Sequence, residues 1–163
     1  MSKITLGLSK IEGGAIAADG GMGTTLAAYG YTLRDTCKLT QEDPQVTEHF
    51  AEEVDEAIAR LAKKGKTTVT FSIADPDATT MAALMGGTDT AGVWSAPAVQ
   101  PTIEQSLKIT PLSGMVIAIP RASITAKLNG DFSSKGITVI EVTATVMAPT
   151  KADTAAITAT PLV

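Results

Sequence analysis

Aromatic residues are scarce in this chain, with one Trp, two Tyr and three Phe among 163 residues. A stacking platform for sugars or bases, which usually takes several rings, has little to draw on. Ala, Val, Ile, Leu, Met and Thr must therefore build the core. The single cysteine, Cys37, excludes an internal disulfide and suits a reducing compartment or a fold indifferent to redox state. The single histidine, His49, has no second His and no nearby Cys with which to form the usual metal-ligand spacing. An excess of positive charge is missing too. A formal net charge of −4 argues against a protein that grips nucleic acid through its phosphates. No apolar run approaches transmembrane length. The opening M-S-K-I-T-L-G-L-S-K-I-E alternates apolar and polar residues where a secretory signal would be continuously apolar.

What is present is material for strands. A chain of this length buries about 70% of the surface its unfolded form exposes, so neither disulfide nor metal is needed to hold it together. The clearest stretch is Gly114 to Pro149. Between Ile137 and Met147 run eleven residues without Gly or Pro, mostly Val, Ile and Thr. Ile140, Val142, Ala144 and Val146 share one face, and Val139, Glu141, Thr143 and Thr145 the other, the period of two that marks a strand. At ~3.3 Å per residue such a strand spans on the order of 36 Å. Upstream, Ala122, Ile124, Ala126 and Leu128 alternate with Ser123, Thr125 and Lys127. Asn129-Gly130-Asp131 and Lys135-Gly136 supply turn residues, which makes the region an antiparallel hairpin.

Residues 3 to 12 read as a first strand with Ile4, Leu6 and Leu8 on one face. The glycine-rich run from Gly13 to Gly23 lacks the Lys of a phosphate-binding loop and the fuller glycine pattern of a dinucleotide loop. It reads as a flexible surface loop. Residues 31 to 40 give a second strand, with Cys37 as a small hydrophobe.

Residues 41 to 66 are ambiguous. Asp43 can cap a helix, Pro44 fits its first position, and Val46, Phe50, Val54, Ile58 and Leu61 recur at three- and four-residue spacing. Acids (Glu42, Asp43, Glu48, Glu52, Glu53, Asp55, Glu56) come early, bases (Arg60, Lys63, Lys64, Lys66) come late, and Gly65 can close the helix. An extended hairpin turning near Asp55-Glu56 competes, and local pattern does not decide between them. Within this run, Glu52 and Glu53 are adjacent and point different ways on either element, which makes them a poor acid-base pair. A hydrolytic triad would have to use His49 from within a charged surface run.

Lys66 to Ala74 is a clean strand with Val69, Phe71 and Ile73 inward. Asp75 and Pro76 then open a short helix over about residues 76–85, in which Met81, Leu84 and Met85 share a face and Gly86-Gly87 end it. Trp94 sits in a loop, where an isolated aromatic usually plugs a core edge. Ile103 to Ile109 and Met115 to Ile119 give further strands. The tail after Pro149 is Ala/Thr-rich, either a loose end or an arm that pairs with another chain. The expected fold is mainly β, an antiparallel β-sandwich or barrel with one short flanking α-helix. Residues 1–149 form a single domain, and residues 150–163 a tail or arm. No catalytic residue, cofactor or metal is expected.

Laid out in this order, the chain resembles the major tail tube proteins of long-tailed bacteriophages. The resemblance is carried by the acidic stretch Thr47 to Glu56, by K-K-G-K-T-T-V-T-F-S-I-A-D-P-D (Lys63 to Asp77) and by the short helix ending Met85-Gly86-Gly87. The late pair I-A-I-P-R-A-S-I-T-A-K-L and I-T-V-I-E-V-T-A-T-V-M-A-P completes it. It implies a structural virion protein without enzymatic activity, assembled in the bacterial cytoplasm into six-membered rings. These stack into a tube with other tail proteins, and DNA passes through the lumen without specific binding. It also implies that the segment before the helix is an extended arm, which favours strands over residues 46 to 62. The inter-subunit contact then falls on Phe50, Glu52, Glu53, Val54, Asp55, Glu56 and Ile58. Two other readings remain: a tube or neck component of a related contractile injection or secretion system, and a β-sandwich carbohydrate-binding module using Trp94 with Tyr29 or Tyr31.

Overall fold

The computed structural model describes residues 4–163. Its centre is an antiparallel sheet built on β10 (Met115–Asn129), a strand of 15 residues. On one side β10 pairs with β9 (Ile103–Thr110), which pairs in turn with β1 (Lys10–Gly14) and then the two-residue β2 (Ala27–Ala28). On the other side it pairs with β11 (Val139–Val146), then β6 (Thr67–Ile73) and β3 (Lys38–Gln41). The segment carrying β2 links the sheet's two margins. Tyr29 N–H donates to Ile11 beside β1, while Leu33 N–H donates to Ser72 and Ala74 N–H to Tyr31 beside β6. Strands alternate side chains between faces, so the inward set is Val69, Phe71 and Ile73 with Leu107, Ile119, Ile124, Ile140, Val142 and Ala144. Tyr29 stacks on Phe71 within this core.

The late hairpin is antiparallel as expected, and its register runs from Ala122 opposite Val146 to Asn129 opposite Val139. Its second strand is shorter than expected, eight residues from Val139 to Val146. The two strands expected at Met115–Ile119 and Ala122–Leu128 are one. Pro120 has no N–H to give the ladder, and the pairing with β9 shifts between Ile119 and Ala122 without ending the strand. Buried Ser106 secures this point. Its hydroxyl donates to the Pro120 carbonyl (2.7 Å) and accepts from Gly23 N–H (2.9 Å).

Helix α1 (Ala78–Met85) lies where expected, with Leu84 buried and Met81 and Met85 against the core. Its cap is Asp77, not Asp75: Asp77 accepts from Thr80 N–H at 2.7 Å, while Asp75 accepts from Tyr31 N–H at 2.6 Å. Gly86 closes the helix at φ 78°, a left-handed conformation that glycine adopts without steric cost. A small hairpin follows, β7 (Thr88–Thr90) with β8 (Val93–Ser95), so Trp94 lies in a strand and not a loop.

Other expectations need correction. The first strand is Lys10–Gly14 in place of 3 to 12; Lys3 lies outside the described residues, and Ile4 and Leu6 are exposed. Gly7, with φ at 69°, interrupts the earlier alternation. The second strand is confined to Lys38–Gln41, because residues 34–37 bulge away between two stretches that both bond β6. The glycine-rich run is no flexible surface loop, since Gly13, Gly20, Gly21 and Gly23 are buried. A Cβ at Gly13 would overlap the Tyr29 hydroxyl, so glycine is there to admit a core aromatic. The tail folds back on its own chain as β12 (Thr158–Pro161), alongside Met115–Ala118 of β10.

Candidate assembly surface

Residues 45–63 leave the sheet as a two-stranded ribbon, β4 (Gln45–Ala51) and β5 (Val54–Lys63). The helical pattern over 41–66 is overridden by a ladder that begins elsewhere. Lys38 opposite Thr70 and Gln41 opposite Thr67 belong to the β3–β6 pair. Glu42 N–H then donates to Lys66 (2.9 Å), and pairing resumes at Gln45 opposite Lys63 and runs to His49 opposite Ala59 in the same register. The gap between the two ladders falls at Pro44, two residues past a hydrogen-bonded pair, where the ladder needs an N–H that proline lacks. Gly65 is required beside it, since a Cβ there would overlap the Glu42 carbonyl. The turn is Glu52-Glu53, between Ala51 and Val54, and not Asp55-Glu56.

This arm extends about 30 Å at ~3.3 Å per residue. Its strands pack on each other and make no substantial contact with any other element. Except for Ala51, which is half-buried, every residue of both strands is exposed. Val46 and Glu48 share a face with Arg60 and Ala62 across the ribbon, and the register shifts between His49 and Ala51, just before the turn. A lone two-stranded ribbon is marginal in water, and both of its edges offer unpaired backbone groups to another chain. Phe50 is 60% exposed, Val54 45% and Ile58 62%, values that leave apolar surface for a partner to cover. All seven expected contact residues are thus brought together: Phe50, Val54 and Ile58 on the outer half of the arm, Glu52 and Glu53 in its turn, and Asp55 and Glu56 just beyond.

Val46 and Leu61 are exposed on the same arm and extend its apolar surface toward the root. Sequence reasoning also missed what the order of charges does. Acids early and bases late looked like compensation of a helix dipole. Folded back as a ribbon, the same order places Glu52, Glu53, Asp55 and Glu56 at the tip and both signs at the root, where Lys63, Lys64 and Lys66 lie beside Glu42 and Asp43. Within the arm, Glu48 and Arg60 face each other at 3.3 Å, an exposed pair that contributes little on its own.

The chemical alternatives find no convergent geometry. His49 lies opposite Ala59, and the side chain of its neighbour Glu48 points to the other face, toward Arg60. Among the described residues no group of three or more His, Cys, Asp or Glu is placed to hold a metal ion. Tyr29 is buried and its hydroxyl donates to Gln105, while the Trp94 indole N–H donates to the Gly86 carbonyl at 2.8 Å. Tyr29 and Trp94 thus serve the fold, and of these three candidate stacking residues Tyr31 alone is exposed. The carboxyl groups held below their ordinary range are accounted for by local bonds. The Arg121 guanidinium grips Glu104 through two 2.9 Å bonds, Asn129 and Lys127 bind Glu141, Lys151 binds Asp19, and Thr80 N–H binds Asp77. No helix among the described residues is long and apolar enough to cross a membrane.

The family model described as phage tail tube protein matches residues 15–160. No curated protein matches the chain.

Proposed function

We propose, from the premise that this chain belongs to the phage tail tube protein family, that it assembles with copies of itself into rings that stack as a tube. Its role is structural, as a component of the virion tail. The observation that carries the assembly reading is the β4–β5 arm, a ribbon about 30 Å long with exposed apolar side chains and no element packed over it among the described residues. A lone copy leaves those surfaces and edges open to water and to aggregation, whereas a neighbour can close them. Contacts of the head-to-tail kind make a ring when the rotation closes, and a six-membered ring with the arm reaching a neighbouring ring fits the family.

The tube is formed with other tail proteins in the bacterial cytoplasm and passes DNA along its lumen. A net charge of −4 suits that passage, because phosphate contacts would hold the DNA where it must slide. The test is electron microscopy of the purified full chain. Rings or tubes are expected, and a strictly monomeric protein at high concentration refutes the reading.

A further inference from the structure

We infer that the open face of β6, β11 and β10 is the wall of the lumen, a neutral surface of hydroxyl groups along which duplex DNA slides. The inference rests on the self-assembly reading above and names the surface that meets the DNA.

The three strands send alternate side chains, among them Val69, Phe71, Val142, Ala144 and Ile124, into the core. The other set carries hydroxyls. Thr125, Thr143 and Thr70 lie in one row across the strands, and Ser123, Thr145 and Thr68 in the next. Helix α1 packs on the opposite, core side through Leu84, and the arm makes no substantial contact with the sheet. None of the exposed large apolar side chains among the described residues lies on this face, so it offers another copy little to bury.

The charges on this face cancel. Arg121 is gripped by Glu104 through two 2.9 Å bonds, and Lys127 lies 3.1 Å from Glu141. At the β3 margin Lys38 and Asp35 add one charge of each sign. Lys66 and Glu42, neighbours through the bond from Glu42 N–H, add another such couple. The face is thus neutral in a chain whose net charge is −4. Elsewhere among the described residues, cations such as Arg34 and Lys135 have no ion pair, so the pairing at the centre of this face is selective.

A polyanion in transit needs such a wall. Free Lys or Arg side chains would release counterions from the phosphates and hold the duplex. A hydroxyl only exchanges one neutral hydrogen bond for another with water. The acids on this face therefore keep Arg121 and Lys127 off the phosphates.

Thr125→Cys and Thr143→Cys, both at exposed positions, are made singly in the full chain together with Cys37→Ser, which removes the native thiol. Free chain and tubes are treated with a small maleimide and with a maleimide on a gold particle wider than the tube. Both reagents should label the free chain. On tubes the small reagent should label as fully, while reaction with the gold falls at least tenfold. Gold along the tube walls puts the face outside, and tubes that neither reagent labels put it between copies. Either result overturns the inference and leaves self-assembly standing. So do tubes from the Cys37→Ser parent but from neither double variant. A native chain that forms no tubes refutes the self-assembly reading and this inference with it. In a second assay, Glu104→Gln with Glu141→Gln frees both cations. Those tubes should retain a short DNA duplex at low salt at least tenfold more than native tubes, and lose it at high salt. Equal retention overturns the shielding by the acids and with it the neutral wall.

Discussion

Replacing Phe50, Val54 and Ile58 together by Ser separates assembly from folding. In a single copy these side chains are 60%, 45% and 62% exposed and their strands make no substantial contact with any other element. The main sheet should hardly register their loss, with a change of about 0.5 kcal/mol or less in unfolding free energy. In an assembly the remaining exposed apolar surface goes under cover. Full burial of such a side chain is worth ~1.5–3 kcal/mol, and roughly half of each is still available, so each contributes about 1 kcal/mol. The triple variant then loses about 3 kcal/mol per arm contact, a factor on the order of 100 in the association constant. The assay is the critical concentration for sedimentable polymer, measured beside urea unfolding of the unassembled chain. A rise of about 100-fold with an unchanged urea midpoint is expected. An unchanged critical concentration refutes the reasoning, because the arm's apolar surface would then be exposed in the assembly as well. A lowered urea midpoint refutes its other half, the independence of the arm from the main sheet.

Ser106→Ala should destabilise the fold by about 2–4 kcal/mol, since it orphans Gly23 N–H and the Pro120 carbonyl in a site closed to water. For a chain of this size that lowers the melting temperature by roughly 5–15 °C, readable by circular dichroism. Burial pushes the Tyr29 hydroxyl well above the ordinary tyrosine range. Its neutral form is favoured in the folded chain, so that contribution is complete below about pH 10 and is lost as pH rises beyond it. Urea midpoints between pH 8 and 11 should fall more steeply for the native chain than for Tyr29→Phe; equal slopes refute this. Reversing acidic residues mapped to the lumen should slow DNA ejection from virions, and unchanged ejection counts against an acidic lining that keeps DNA sliding.

Strands whose partners are adjacent in sequence were legible from the sequence. The late hairpin shows itself because alternation from Ala122 to Leu128 and from Ile137 to Met147 flanks turn residues, while its register is set only by the folded pairing. Strand β6 and the helix were equally plain, one by period two and the other by its closing glycines. The choice between Asp75 and Asp77 as cap was not, because both are acids near Pro76 and only the bond to Tyr31, 44 residues away, engages the first. The glycine-rich run misled for the same reason. Its glycines look like freedom until Tyr29 and Ser106, distant in sequence, are seen to fill the space beside them.

By itself the sequence determined that this is a β protein without disulfide, with one short helix and with an order of elements that resembles tail tube subunits. These properties rest on composition and on periodicities read within a few residues. The tertiary structure alone decided that residues 45–63 are a ribbon, because a pattern of three and four fits a helix equally well until the β3–β6 ladder imposes its register. It also decided where the charges go. A run of acids early in the segment gathers as Glu52, Glu53, Asp55 and Glu56 at the tip of an arm only once the chain doubles back at Glu52-Glu53.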